Sequence, residues 1–435
     1  MKQYTLPEDT QNLFEQLCQV DMLKQGFKMV RKNKGAPGVD GVSIEDFQAN
    51  LSEELAQLQQ ELENWSYKPM PVKRVEIDKP TGGVRLLGIP TIRDRVVHAT
   101  LKILIEPTLE QIFSDNSSGF RPKRNQRQAV EAAQKIVKTG KVYTVDIDLS
   151  KFFDRINHDR LITRLGKFID DKRILRLVGN ILRSGVMIDG LVSPTNEGSV
   201  QGSPLSPLLS NLVLDELDKE LEKRDLEFCR FADDCNIFVK TKRSAQRVMQ
   251  NISKFIENKL KLKVNTEKSK AIHSRNVKLL GMTIINGTIA ISRKAMKTAM
   301  TKVKLLIPRG THLSWDEAIK RVNKWYMGWS AYYGMTQYPA QLRKIESHIR
   351  RRFRARIITQ QKLRRNLYKC LTKRNIKRKT AARTAFSNNG KWAMSNSYAM
   401  QRAFNLNWFK SAGLKTRSDT QLKHWFNVNR WIYLP

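Results

Sequence analysis

Residues 228–240 read FCRFADDCNIFVK, an apolar run into which two adjacent carboxylates, Asp233 and Asp234, are set. FCRF and CNIFV both suit buried strands, and ADD between them suits a tight hairpin turn, where Asp is favoured. Taken alone, the stretch fits a hairpin tipped by two solvated aspartates. Carboxylates are otherwise almost never fully buried unless they are paired or bind metal. A second segment, YTVDIDLSKFFDRINHD, places Asp146 and Asp148 near the end of another apolar strand. Residues two apart on a strand face one side, so these two carboxylates need one polar environment.

The bulk numbers say what such a site would act on. The chain has 435 residues, enough for two to four domains, and carries 79 Lys and Arg against 41 Asp and Glu, a net charge of +38. That excess implies a polyanionic partner, nucleic acid or an anionic membrane. No apolar run approaches the roughly 20 residues of a spanning helix, and the N-terminus lacks a signal-peptide core, so nucleic acid is favoured. Cys18, Cys229, Cys235 and Cys370 form no C-x-x-C pair, which argues against structural zinc and against a disulfide framework. Strand-end carboxylates in two segments of a nucleic-acid-binding protein suggest a divalent-metal cage. Mg²⁺ takes hard oxygen ligands, usually one or two carboxylates plus substrate phosphates.

The charge is uneven. Residues 351–435 hold 21 Lys and Arg and one acidic residue, Asp419, so +20 of the +38 lies in the last fifth of the chain. The segment RRFRARIITQQKLRRNLYKCLTKRNIKRKTAARTAF reads as helix, basic nearly all round, and without acidic partners such a surface repels itself. Binding to a phosphate backbone accounts for it. Seven of the eight tryptophans follow residue 314, mostly as core, with some available to stack on bases. EDFQANLSEELAQLQQELENW predicts one amphipathic helix, VYTVDIDL a strand, and AQRVMQNISKFIENKLKLKV a helix leading into a short strand. Domain breaks are expected near Gly287–Ser292, where strand-like text turns helical, and near Arg350, where acidic residues stop.

Eight segments in series resemble the bacterial group II intron reverse transcriptases, or maturases: RKNKGAPGVDGVS, VEIDKPTGGVRLLGIPTIRDRVV, SSGFRPKRNQRQAV, VDIDLSKFFDRINHD, GSVQGSPLSPLLSNLVLDELDKEL, RFADDCNIFV, LKVNTEKSK and LLGM. The pattern is most similar to the short, endonuclease-less members associated with group IIC introns. The resemblance implies an α+β right-hand polymerase fold. Fingers and palm, an antiparallel sheet plus helices with an N-terminal extension, are expected over 1–290. A helical thumb, or X domain, is expected over 291–350 and a basic, mostly helical DNA-binding domain over 351–435. No endonuclease domain is expected.

The resemblance also implies roles. Asp148, Asp233 and Asp234 would be catalytic and hold two Mg²⁺ ions, Mn²⁺ being a possible substitute, with the Leu149 carbonyl as a further ligand. Asp146 is expected to be structural. Phe153 would be the steric gate against a ribose 2′-hydroxyl, Lys79 and Arg85 would clamp the dNTP triphosphate, and Gln201 would touch the incoming nucleotide. Lys268 would protonate the leaving pyrophosphate, and Leu280 and Gly281 would form the primer grip. Phe231 stands where Tyr is commoner, and Ser203 where Gly is often found. In the basic tail Arg351, Arg352, Arg364, Arg365, Lys377, Arg378 and Lys379 would bind nucleic acid. The implied partners are a group II intron RNA, an RNA template with a DNA or RNA primer, dNTPs and target DNA, without a membrane, in the bacterial cytosol near the nucleoid. Two other readings stay open: a domesticated relative in DNA repair or phage defence, and a non-catalytic RNA-binding maturase.

Overall fold

The computed structural model describes residues 12–78, 84–188, 191–193, 197–199 and 202–417, and of Arg85 the backbone alone. Lys79 and Gln201 therefore lie outside the described residues. The chain divides between His273 and Ser274 into two compact units.

The first unit is mixed α and β. Its strands are β1 (Val72–Asp78), β2 (Val84–Ile89), β3 (Tyr143–Ile147), β4 (Val186–Ile188), β5 (Leu191–Ser193), β6 (Glu227–Phe231), β7 (Asp234–Val239) and β8 (Lys270–His273). They form two four-stranded sheets, ordered β2-β1-β4-β5 and β6-β7-β3-β8. The second sheet is the expected antiparallel one, whereas in the first sheet β1 pairs with β4 in parallel. Among the described residues ten helices pack around them: α1 (Leu13–Cys18), α2 (Val20–Asn33), α3 (Ile44–Ala49), α4 (Leu51–Glu63), α5 (Ile92–Glu110), α6 (Gln126–Lys138), α7 (His158–Leu165), α8 (Lys172–Leu182), α9 (Ser206–Lys223) and α10 (Lys242–Asn258). Side-chain caps fix many of their starts: Ser43 and Asn125 close full capping boxes, and Thr91, Asn157, Asp171 and Thr241 accept from first-turn amides. One apolar cluster runs from Leu13 on α1 to Val264.

The second unit begins with a hairpin, β9 (Met282–Ile285) and β10 (Thr288–Ile291). Its turn is Asn286–Gly287, with φ of 50° and 71°, the left-handed pair that two-residue hairpins prefer. Among the described residues eight helices follow: α11 (Arg293–Leu306), α12 (Trp315–Tyr333), α13 (Pro339–Gln360), α14 (Arg364–Lys373), α15 (Arg378–Ala385), α16 (Lys391–Met394), α17 (Tyr398–Ala403) and α18 (Leu406–Ser411). A single core joins Val303, Tyr326, Phe353, Leu371, Met400 and Phe409.

The strand-like text at 282–291 forms the β9–β10 hairpin, in the second of the compact units that divide at 273/274. Two expectations are corrected. The helix foreseen over 45–65 is two, α3 and α4, separated at Asn50. The break at Arg350 falls inside α13, whose buried face belongs to the same core on both sides of that residue. Thumb and basic tail share one core through at least Leu414.

Candidate active site

The hairpin in FCRFADDCNIFVK forms as its pattern foretells, with Phe228, Ile237 and Phe238 buried and the turn at Ala232–Asp233. Asp234 opens β7, and β7 pairs with β3 so that Cys235 faces Ile147. One step beyond that pair, Asp148 leaves β3 beside the Asp233–Asp234 turn. The two central strands of the sheet thus deliver the carboxylates of two distant segments to one edge.

Asp148 is held from below by the segment containing Asn265 and Ser269. The Asn265 amide donates to the Asp148 carbonyl at 2.8 Å, and the Ser269 hydroxyl accepts from the Asp148 amide at 3.0 Å. Lys268 Nζ stands 4.0 Å from the Asp148 carboxylate and is 68% exposed. Burial holds the Asp148 carboxyl above its ordinary range; the Asp233 charge adds to this, while Lys268 and an Asn265 hydrogen bond oppose it. Leu149, buried, bridges to Val264. Asp146 is paired inside the sheet between Asn236 and Lys270, away from the edge.

The donor chemistry fits a hard divalent cation: accessible carboxylate oxygens, with the Asp233 charge close enough to raise the cost of charging Asp148. Among the described residues no group of three or more His, Cys, Asp or Glu is arranged to hold a metal ion by itself. Mg²⁺ asks for less, since one or two carboxylates suffice where water and substrate phosphate fill its other positions.

Phe153 lies in the 3₁₀ turn Phe152–Arg155 and forms part of the wall of a cavity of about 170 Å³ with Arg74, Leu86, Gly88, Glu197 and Ser199. Its carbonyl accepts from the Ser199 amide at 2.6 Å, and Gly198 donates to the Ile156 carbonyl at 2.7 Å. These bonds stitch the segment ahead of Gln201 onto the Phe153 turn. Just beyond it, Gly202 (φ 131°) has no room for a Cβ against the Gly88 carbonyl. Ser203 is buried with its hydroxyl 2.9 Å from His98 Nδ1. Burial and the Arg95 charge push His98 down to about 3, so the ring is neutral at physiological pH. Arg85 pairs its backbone with Ile77 across β1 and β2.

In the second unit, Leu280 (φ 51°) and Gly281 (φ 83°) form a left-handed turn. The Tyr332 hydroxyl donates to the Leu280 carbonyl at 2.5 Å, and a Cβ on Gly281 would lie 2.6 Å from the Tyr333 hydroxyl. Two aromatics of α12 therefore brace this turn.

The basic tail is only partly as expected. Arg364, Arg365, Lys377, Arg378 and Lys379 are exposed. Arg352 is buried, and its guanidinium donates to the carbonyls of Lys304 and Ile307 at the end of α11. It is withdrawn from the set of surface cations. Arg351 is half-buried, stacked 4.0 Å over Trp392 and bonded to that residue's carbonyl. A cleft of about 710 Å³ between α11 and α13 supplies cations that the sequence did not single out, among them Arg293, Lys297, Lys304, Arg309 and Lys344. Their signal was the stripe that Arg293, Lys297 and Lys304 make along α11.

Two family models match the chain. Residues 77–284 match "Reverse transcriptase (RNA-dependent DNA polymerase)", and residues 296–381 match "Group II intron, maturase-specific domain". The second match crosses Arg350, as the shared core does. Protein YkfC of Escherichia coli (strain K12) is 32% identical over 303 residues, 60% of this chain and 80% of that protein. The group II intron-encoded protein LtrA of Lactococcus lactis subsp. cremoris is 29% identical over 377 residues, which is 70% of this chain but 62% of LtrA. Among solved structures, a partial Cas6-RT-Cas1–Cas2 complex matches with a TM-score of 0.37 and 22% identity, covering 56% of this chain and 42% of that one. With a reverse transcriptase domain followed by a maturase domain, the chain belongs to the group II intron-encoded reverse transcriptase–maturase family.

Proposed function

We propose that this protein synthesises DNA on an RNA template by two-metal nucleotidyl transfer and binds its parent intron RNA to assist splicing and retrohoming. One observation carries the catalytic part: the β3–β7 register that brings Asp148 to the Asp233–Asp234 turn, with Lys268 4.0 Å from the Asp148 carboxylate.

Asp148, Asp233 and Asp234, with the Leu149 carbonyl, would hold the ions; the Asp148 carbonyl is already taken by Asn265. When bound, Mg²⁺, or Mn²⁺ in its place, supplies charge to activate a primer 3′-hydroxyl and to offset the leaving pyrophosphate. Lys268, exposed and 4.0 Å from the Asp148 carboxylate, would give a proton to the departing oxygen. Phe153 forms part of the floor where a ribose would lie and excludes its 2′-hydroxyl. Lys79, Arg85 and Gln201 bind the dNTP in this reading, and Leu280–Gly281 holds the primer end. The cationic cleft between α11 and α13 and the exposed tail cations receive template–primer, intron RNA and target DNA. No helix among the described residues is long and apolar enough to cross a membrane.

Primer extension on poly(rA)/oligo(dT) with Mg²⁺ and dTTP tests the reading. Wild type should extend, whereas Asp148→Asn and Asp233→Asn should lose extension and keep RNA binding. RNA binding by all three with extension by none would reduce the protein to a scaffold.

A further inference from the structure

Beneath the Asp233–Asp234 turn lies a buried charge that the catalytic scheme does not use. Arg230 is fully buried, as are Asp218 and Asn211 on α9. Its guanidinium donates to both Asp218 oxygens, at 2.7 and 2.6 Å, and from Nη1 to Asn211 Oδ1 and the Ala232 carbonyl, each at 2.9 Å. Four hydrogen bonds from one fork leave that side chain little freedom. Its backbone is held as well: the Arg230 amide donates to Asn116 O and the Ser118 amide donates to Arg230 O, each at 2.9 Å.

The bond to Ala232 matters because of what Ala232 is. It sits at φ 57°, the left-handed region that is unfavourable for a residue with a Cβ. Its side chain reaches no metal, yet it sets the direction in which the next two residues leave. On the other side, Gly119 presses so closely that a Cβ there would overlap the Ala232 nitrogen. Asn211 donates to the Gly119 carbonyl at 2.8 Å and so ties this second support to the first. A buried ion pair is weak evidence for stability, since apolar residues of like volume often do as well. Here the pair ends on the strained carbonyl.

We infer that Arg230, mounted on Asp218 and Asn211 and opposed by Gly119, is the positioning residue that fixes the Asp233–Asp234 turn for cation binding. The inference rests on the metal-binding role proposed above for that turn.

The test uses Mn²⁺ alone as probe, with free ion followed by electron paramagnetic resonance on the full chain, beside steady-state kinetics and thermal unfolding. Asp233→Asn reports on the underlying reading. Arg230→Lys and Gly119→Ala disturb the turn from opposite sides. Arg230→Met/Asp218→Leu replaces the ion pair by apolar contacts. Each of these three should bind Mn²⁺ about tenfold or more weakly, with kcat falling in parallel and KM for template–primer within about twofold. The double variant should show this loss even at wild-type thermal stability, and Arg230→Lys should lose less than it does. Wild-type Mn²⁺ affinity in Arg230→Lys, Gly119→Ala and the double variant, with loss in Asp233→Asn, would make the network a structural ion pair and overturn the inference. Unchanged Mn²⁺ binding in Asp233→Asn would overturn the metal-binding reading itself.

Discussion

Asp215 shows how burial and pairing compete at a single side chain. Arg164 donates to its Oδ2 at 2.6 Å, but Oδ1 is buried without a partner. Burial therefore wins, helped by the Asp218 charge, and the carboxyl is pushed up from 3.8 to about 6. A raised folded-state value means that the protonated form is favoured by folding. That contribution is complete below about pH 4 and is lost as pH rises through 6, by about 3 kcal/mol. Asp215→Asn keeps a neutral group there and should escape the loss. Denaturant midpoints of both proteins at pH 4.5 and 7.5 should diverge in the variant's favour as pH rises, and parallel curves would deny the shift. At this scale the sequence exposed the chemistry of the site but not its support. FADD announces its carboxylates because they interrupt an apolar run. Arg230 and Asp218 do not, because a charged residue beside a turn or on a helix reads as solvated until its partner is seen.

Elements carried by an apolar run broken at a turn were legible: FCRF and CNIFV pair as β6 and β7 around the turn the sequence foretold. What the sequence concealed was the burial of α13. RRFRAR reads as a charged face, yet Arg352, Arg354 and Arg356 are all buried. They are spent on carbonyls that helix ends leave without intrahelical partners, Arg352 at the end of α11 and Arg354 on Ser395 and Phe404 just past α16 and α17. Arg356 donates to the Leu313 carbonyl. A guanidinium suits this task because it carries five donors in a fixed fork. Arg354→Met should therefore lower the stability of the second unit by about 1–3 kcal/mol, read in a thermal melt. Arg364→Ala and Arg365→Ala, on the exposed helix α14, should stay within about 0.5 kcal/mol of wild type. Equal losses in both would return α13 to the surface.

For the molecule as a whole, +38 overstates what nucleic acid can meet, because Arg230, Arg352, Arg354 and Arg356 are sealed inside. Replacing the exposed Arg364, Arg365, Lys377, Arg378 and Lys379 by Ala should flatten the dependence of log K on log salt by up to about 3.5 for single-stranded RNA, while thermal stability holds. An unchanged slope would show that these cations touch no phosphate. The order of the strands bears on synthesis of the protein itself. β3 is central, and its neighbours β7 and β8 follow it by roughly 90 and 125 residues of chain. At about 5–20 residues per second, a ribosome takes several seconds or more to supply them. Until β7 has emerged, Asp148 ends a lone strand, and until Ser269 arrives nothing fixes its backbone. A nascent chain thus carries its nearly neutral N-terminal half out of the ribosome before it owns a reaction centre, and the polymerase is inert for as long as it remains short of β8.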